Sequence, residues 1–242
     1  MLRHILAVFI LLAPGLHARQ GVRIPPPFMP QMQGIDVSHH QKKIDWNALL
    51  ANEPVEFAFV KATEGANFTD TLFESNWTTL REVGLRRGAY HFFRAYGCGE
   101  DQARHFLNTV DMQSGDLAPV LDIELLDGMP PEILVEEAKI WLQQVERQLN
   151  IKPIVYTNQH FYESFLAGHF DEYPLWIARY AQDKPVLTRG RRWQFWQYSN
   201  EGCIEGIGSK VDMNVFPGTP EALEAFSWYP TIEIAPEAVS AP

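Results

Sequence analysis

The stretch Ala118-Pro119-Val120-Leu121-Asp122-Ile123-Glu124 is an apolar run that turns acidic at its C-terminal end, on alternate positions. Along a strand, residues i and i+2 point to the same face, about 6.5–7 Å apart at the backbone. Asp122 and Glu124 then present two carboxylates to one side, while Leu121 and Ile123 pack on the other. A strand running out into solvent carries such acids as well, because exposed carboxylates are the norm. The surrounding chain has to distinguish the two.

Seven further apolar runs flank this one, at 34–38, 57–62 and 88–93 before it and at 153–157, 175–180, 193–198 and, weakly, 211–215 after it. Apolar spacings of three and four predict helices over 72–83, 101–110 and 131–149. The last of these has Pro131 near its start, where the missing N–H costs nothing. Strand–helix alternation argues for a parallel sheet, and about eight strands in one domain argue for a barrel. Helices thin out late in the chain. The predicted fold is therefore an α/β, irregular TIM-like β/α barrel, flattened and incomplete, with about eight strands and fewer helices.

Composition narrows the function classes. Of 242 residues, 46% are hydrophobic and 12% aromatic, enough for a large core, and the formal charge is −10. No dense basic cluster exists to neutralise phosphates, so nucleic acid is not an expected partner. At the start, Arg3 and His4 precede an apolar stretch broken by Pro14-Gly15 and followed by Ala18. That pattern reads as a signal peptide over 1–18, and it is too short for a spanning helix. Residues 19–33, with Pro25-Pro26-Pro27 and Pro30, read as an extended lead-in, 34–219 as the main folded domain and 220–242 as a tail. The expected location is outside the cytoplasm, periplasmic or secreted, with no membrane span once the signal is cut. In an oxidising compartment Cys98 and Cys203 have the option of pairing and closing a long loop. Two free thiols are the alternative, and spacing does not choose between them.

Further acids join the first two. Asp36 sits mid-strand in Gly34-Ile35-Asp36-Val37-Ser38, and Asp212 repeats the arrangement in Val211-Asp212-Met213-Asn214. A carboxylate inside an apolar strand is costly unless paired, hydrogen-bonded or functional. The first and last strands of a closed barrel are neighbours, which puts Asp36 beside Asp212 on the rim that carries Asp122 and Glu124. Two close carboxyl groups raise the pKa of at least one of them. A carboxylic acid still protonated near neutral pH is what glycoside cleavage needs at the leaving oxygen. Tyr90, Tyr156, Trp176 and Tyr198 fall in strands and suit a sugar groove, offering apolar faces with polar tips. His39, His40 and His91 lack any metal-ligand spacing, and there is no Gly-X-Ser-X-Gly elbow or phosphate loop, so no metal or cofactor is expected.

Taken together, these motifs resemble one family. Gly34-Ile35-Asp36-Val37-Ser38-His39-His40-Gln41 with Ile44-Asp45-Trp46 is similar to the opening of the family 25 glycoside hydrolases, the Chalaropsis-type lysozymes. Phe57–Gly65, Gly88-Ala89-Tyr90-His91-Phe92, Leu121-Asp122-Ile123-Glu124, Trp196-Gln197-Tyr198 and Val211-Asp212-Met213-Asn214 follow in the family's order. The resemblance covers roughly Gly34 to Pro217. It implies an irregular β/α barrel that cleaves the β-1,4 bond between N-acetylmuramic acid and N-acetylglucosamine in peptidoglycan. It further implies Glu124 as proton donor, Asp122 assisting, and Asp36 and Asp212 as further acids of the groove. A sugar-binding protein with lost catalysis, or a metal-dependent hydrolase, are the competing readings.

Overall fold

The computed structural model describes residues 31–231. The predicted signal peptide, most of the proline-rich lead-in and the end of the predicted tail lie outside the described residues.

All eight predicted strands form. They are β1 (Met32–Val37), β2 (Val55–Glu64), β4 (Arg86–Phe92), β5 (Val120–Asp122), β6 (Ile154–Asn158), β7 (Leu175–Ala178), β8 (Phe195–Gly202) and β9 (Val211–Phe216); a two-residue strand, β3 (Phe68–Thr69), adds to β2. The ring runs β1-β9-β8-β7-β6-β5-β4-β2 and closes through parallel pairing of β1 with β2. Successive ring strands are parallel except β9, which is antiparallel to both β1 and β8.

Alternation along each strand sorts the side chains. Phe57, Phe59, Val120, Ile154, Tyr156, Trp176, Phe195 and Phe216 form one buried cluster inside the barrel. Their neighbours Ala58, Val60, Leu121, Val155, Ile177 and Trp196 join a larger cluster under the helices. Gly34 and Gly88 make room for the interior rings. A Cβ on Gly34 would stand 2.2 Å from Phe57, and one on Gly88 2.4 Å from Phe59.

The helices on the outside are α1 (Trp46–Asn52), α2 (Phe73–Glu82), α3 (Gly99–Thr109), α4 (Pro131–Leu149), the short α5 (Gln159–Phe161) running into a π-turn at Tyr162–Leu166, and α6 (Pro220–Glu224). The expected helix over 131–149 forms with those bounds. It buries Leu134, Val135, Ala138, Trp141, Leu142 and Val145, whereas Ile133 in its first turn is exposed. After β6 only short helical turns intervene, the irregularity that the late sequence foretold. Two features were not foreseen. Asp45 caps α1 by accepting from the Ala48 N–H at 3.0 Å. Residues 220–228, read as the start of a tail, carry α6 and return to the barrel, where Ser227 bridges Leu117 and Trp228 donates to the Leu149 carbonyl.

Of the two options left open for the cysteines, the disulfide does not form. Cys98 and Cys203 are both exposed and unbonded. The topology explains this, because Cys98 follows β4 and Cys203 follows β8, and those strands stand diametrically opposite in the eight-strand ring. Among the described residues, no helix is long and apolar enough to cross a membrane.

Candidate active site

At the C-terminal end of the parallel strands a cleft opens, lined by inward residues of every ring strand. Asp36, Lys61, Tyr90, Asp122, Glu124, Tyr156, Trp176, Gln197 and Asp212 all face it, with Ser38 and His40 on the loop after β1. The strand fold supplies the placement. Val120 and Asp122 share a face of β5, and Asp122 lies in register between Phe92 of β4 and Tyr156 of β6. The ladder continues past β5 through the Ile123 N–H, which donates to the Tyr156 carbonyl at 2.9 Å. Glu124 therefore emerges on the same side as Asp122, one strand step nearer the mouth. Asp122 is buried and Glu124 half-buried.

The predicted neighbours of β1 and β9 meet. Asp36 and Asp212 are directly opposed partners in the antiparallel ladder. Of the four predicted aromatics, Tyr90, Tyr156 and Trp176 line the cleft. Tyr198 does not. On β8 the inward positions are Phe195 and Gln197, so Tyr198 stands beside Trp196 on the outer face, its hydroxyl 3.3 Å from Gln33 Oε1. Placing Tyr198 in the groove chose the wrong phase of a period-two strand.

Lys61, Gln197 and Asn214 were not anticipated. Lys61 shares the inward face of β2 with Phe57 and Phe59, so a charge in an apolar strand was the same signal that identified Asp36. Its ammonium pairs with Glu64 at 2.6 Å and lies 4.7 Å from the centre of the Phe92 ring. Gln197 and Asn214 each donate to Asp36 Oδ2 at 2.8 Å. Gln197 Oε1 accepts from the Tyr156 and Tyr180 hydroxyls, and Asn214 Oδ1 from the Trp176 indole N–H, each at 2.9 Å.

Burial dominates the electrostatics. It pushes the Asp122 carboxyl well above the ordinary range; the charge of Glu124 adds to this and Lys61 opposes it. Glu124 is raised by burial and then by Asp36, again against Lys61. Burial carries Asp36 up to about 6, restrained by the hydrogen bonds from Asn214 and Gln197. Asp212 rises to about 8 through burial and the charges of Asp36 and Glu124. One Asp122 oxygen, Oδ1, is buried with no hydrogen-bond partner. A cleft that holds carboxyl groups protonated near neutrality beside ionised ones is equipped for general acid chemistry. The neighbouring His91 does not face the cleft. It is buried between Thr63 and Gln102, and burial lowers it to about 3, so it is a neutral structural group.

The model of the glycosyl hydrolases family 25 matches residues 35–207. This chain belongs to glycosyl hydrolase family 25. As a family 25 member it is a glycoside hydrolase. Lysozyme M1 of Streptomyces globisporus is 32% identical to it over 218 residues, 84% of this chain and 74% of that one. YegX of Escherichia coli strain K12, an uncharacterized protein, is 44% identical over 209 residues, 85% of this chain and 76% of its own. A family 25 glycosyl hydrolase structure from Bacillus anthracis superposes with a TM-score of 0.76 at 32% identity, covering 88% of this chain and 99% of that one. A family 25 barrel is thus shared with solved relatives, in agreement with the resemblance drawn from the motifs.

Proposed function

We propose that this chain is an exported peptidoglycan hydrolase that cleaves the β-1,4 bond between N-acetylmuramic acid and N-acetylglucosamine, with Glu124 as proton donor and Asp122 assisting. The observation that carries the reading is the pair itself: two carboxyls on one face at the end of β5, in an open cleft, both held toward the protonated form by burial. The lysozyme and N,O-diacetylmuramidase relatives supply the substrate class. Catalysis runs within residues 34–219, and residues 1–18 direct export.

In the first step the Glu124 O–H gives its proton to the glycosidic oxygen as the C–O bond breaks, so the leaving sugar departs as an alcohol. The substrate's N-acetyl oxygen closes onto the anomeric carbon, and Asp122 orients that group and accepts from its N–H. Water then opens the cyclic intermediate, returning its proton to Glu124. Groove affinity comes from Tyr90, Tyr156 and Trp176, with Asp36 and Asp212 shaping the opposite wall. The bulk charge of −10 does not attract an anionic wall.

The test is release of new reducing ends from purified peptidoglycan by the wild type and by Glu124→Gln. General acid catalysis contributes about 10²–10⁴-fold, so the variant is expected to lose at least about two orders of magnitude while keeping its circular dichroism spectrum. Full activity in Glu124→Gln would refute the assignment, and wild-type protein that binds glycan without cleaving it would favour the non-catalytic alternative. Loss of activity in chelator would favour the metal-dependent one. Mass spectrometry of the fragments, with muramic acid at the new reducing end, tests the bond. A glycosyl–enzyme adduct in quenched reactions would instead make Asp122 the nucleophile.

A further inference from the structure

We propose that Asp36 and Asp212 work as a single unit carrying one negative charge, with Asp212 as the protonated hydrogen-bond donor and Asp36 as the anion, and that this fixed anion is a positioning element holding Glu124 in its acid form. The last clause rests on Glu124 being the proton donor.

Strand register sets the two carboxyls side by side. Directly opposed residues of an antiparallel pair have Cβ atoms about 4.5–5.5 Å apart, and like charges there are destabilising. Asp36 and Asp212 occupy such a pair, and both face the cleft. Two carboxylates this close keep one proton between them.

The hydrogen-bond directions decide which residue holds it. An indole N–H is a donor and nothing else. Trp176 Nε1 points at one end of the Asn214 amide, so that end is the oxygen, and the other end, the NH₂, is the group at 2.8 Å from Asp36 Oδ2. Gln197 is oriented in the same sense, its oxygen receiving the Tyr156 and Tyr180 hydroxyls and its NH₂ donating to the same Asp36 oxygen. Two amide donations onto one oxygen favour the charged form. Asp36 is thus built as an acceptor, and the proton the two carboxyls share belongs to its ladder partner Asp212. The carboxyl of Asp212, raised to about 8, holds its proton more tightly than that of Asp36, at about 6, as this arrangement requires.

The titratable groups facing the pair are His40 after β1, Lys61 on β2, Tyr90 on β4, Asp122 and Glu124 from β5, Tyr156 on β6 and Tyr180 after β7. Among these, Glu124 feels Asp36 as a raising charge and Lys61 as a lowering one. The anion on β1 and the cation on the adjacent β2 therefore act on the proposed acid in opposite senses.

Carboxyl carbon NMR of the full chain labelled at aspartate tests the pair without reference to turnover. In the wild type one carboxyl of the two is expected to remain protonated at pH 7 and to titrate near pH 8; that signal is expected to vanish in Asp212→Asn. In Asp36→Asn the Asp212 carboxyl is expected to be ionised at neutral pH. Turnover is read beside it. Asp212→Asn keeps the donor and the native distribution of charge, so kcat is expected to fall by less than about tenfold, the worth of one perturbed hydrogen bond. Asp212→Ala and Asp36→Asn are expected to fall further, and Asp36→Asn to shift the alkaline limb of kcat to lower pH. Wild-type spectra with both carboxyls ionised at pH 7 overturn the shared proton. Equal losses in Asp212→Asn and Asp212→Ala, or an unmoved limb in Asp36→Asn, overturn the positioning role. Failure of the Glu124 assignment would show separately, as cleavage by Glu124→Gln with the NMR result intact.

Discussion

Lys61 and Glu64 form an ion pair at 2.6 Å on the inner face of β2, and its cation looks across the cleft at Asp122 and Glu124. Lys61 lowers both carboxyls, against the burial that raises them. Glu64 keeps a second partner in Arg94 at 3.3 Å, so replacing the lysine does not orphan it. In Lys61→Met both carboxyls hold their protons to higher pH. The bell-shaped profile of kcat/KM on peptidoglycan is expected to move bodily to higher pH, and an unmoved profile would show that Lys61 does not tune the pair.

Stability should fall toward alkaline pH. Asp36 and Asp212 titrate in the folded chain at about 6 and about 8, above the ordinary value of 3.8. The folded state keeps protons that the unfolded chain has released, so this stabilisation is complete below pH 3.8 and is lost as pH rises through 6 to 8. His91 acts in reverse, favouring the fold above pH 6.5 and losing that contribution as pH falls toward 3. Comparing Asp212→Asn with the wild type isolates the acid pair. The wild-type melting temperature is expected to drop between pH 5 and 9 more steeply than that of the variant.

Filling the floor of the barrel should cost stability. A Cβ on Gly34 meets Phe57 at 2.2 Å inside a closed ring of strands. Overpacking of this kind typically costs about 1–3 kcal/mol, so Gly34→Ala is expected to lower the urea midpoint by that equivalent. A neutral substitution would mean that Phe57 has room to swing.

Reducing agent is expected to leave the melting temperature unchanged, because Cys98 and Cys203 are unbonded on opposite sides of the ring. A downward shift in dithiothreitol would reveal a bond that this topology does not accommodate.

Much of this architecture was legible in the chain. Each strand announced itself as a short apolar run, and Pro131 with its apolar stripe fixed the longest helix to the residue. Asp36, Asp122, Glu124 and Asp212 were visible because acids are rare in buried strands, and barrel closure made the first and last of them neighbours. What escaped depends on phase and partnership. Tyr198 and Gln197 are adjacent, and a one-residue choice of phase decided which faced the groove. Gln197 and Asn214 carry no charge to advertise burial, and their purpose appears only once Trp176 and Tyr156 are seen orienting them. The cysteines stayed undecided for a related reason, since their spacing says nothing of which strand ends they follow.

The reversed direction of β9 has a consequence for any remodelling of the mouth. In the parallel strands the cleft receives residues from the strand end, but β9 delivers Asp212 from its beginning, directly after the 203–210 connection. Extra residues inserted in that hairpin tip would enlarge the entrance while the ladder to β1 held Asp212 in place. A slip of one position in β9 would instead swing Asp212 outward and bring a hydrophobic side chain inside. Evolutionary or engineered variation in reach is therefore cheap at the tip and forbidden one residue further on.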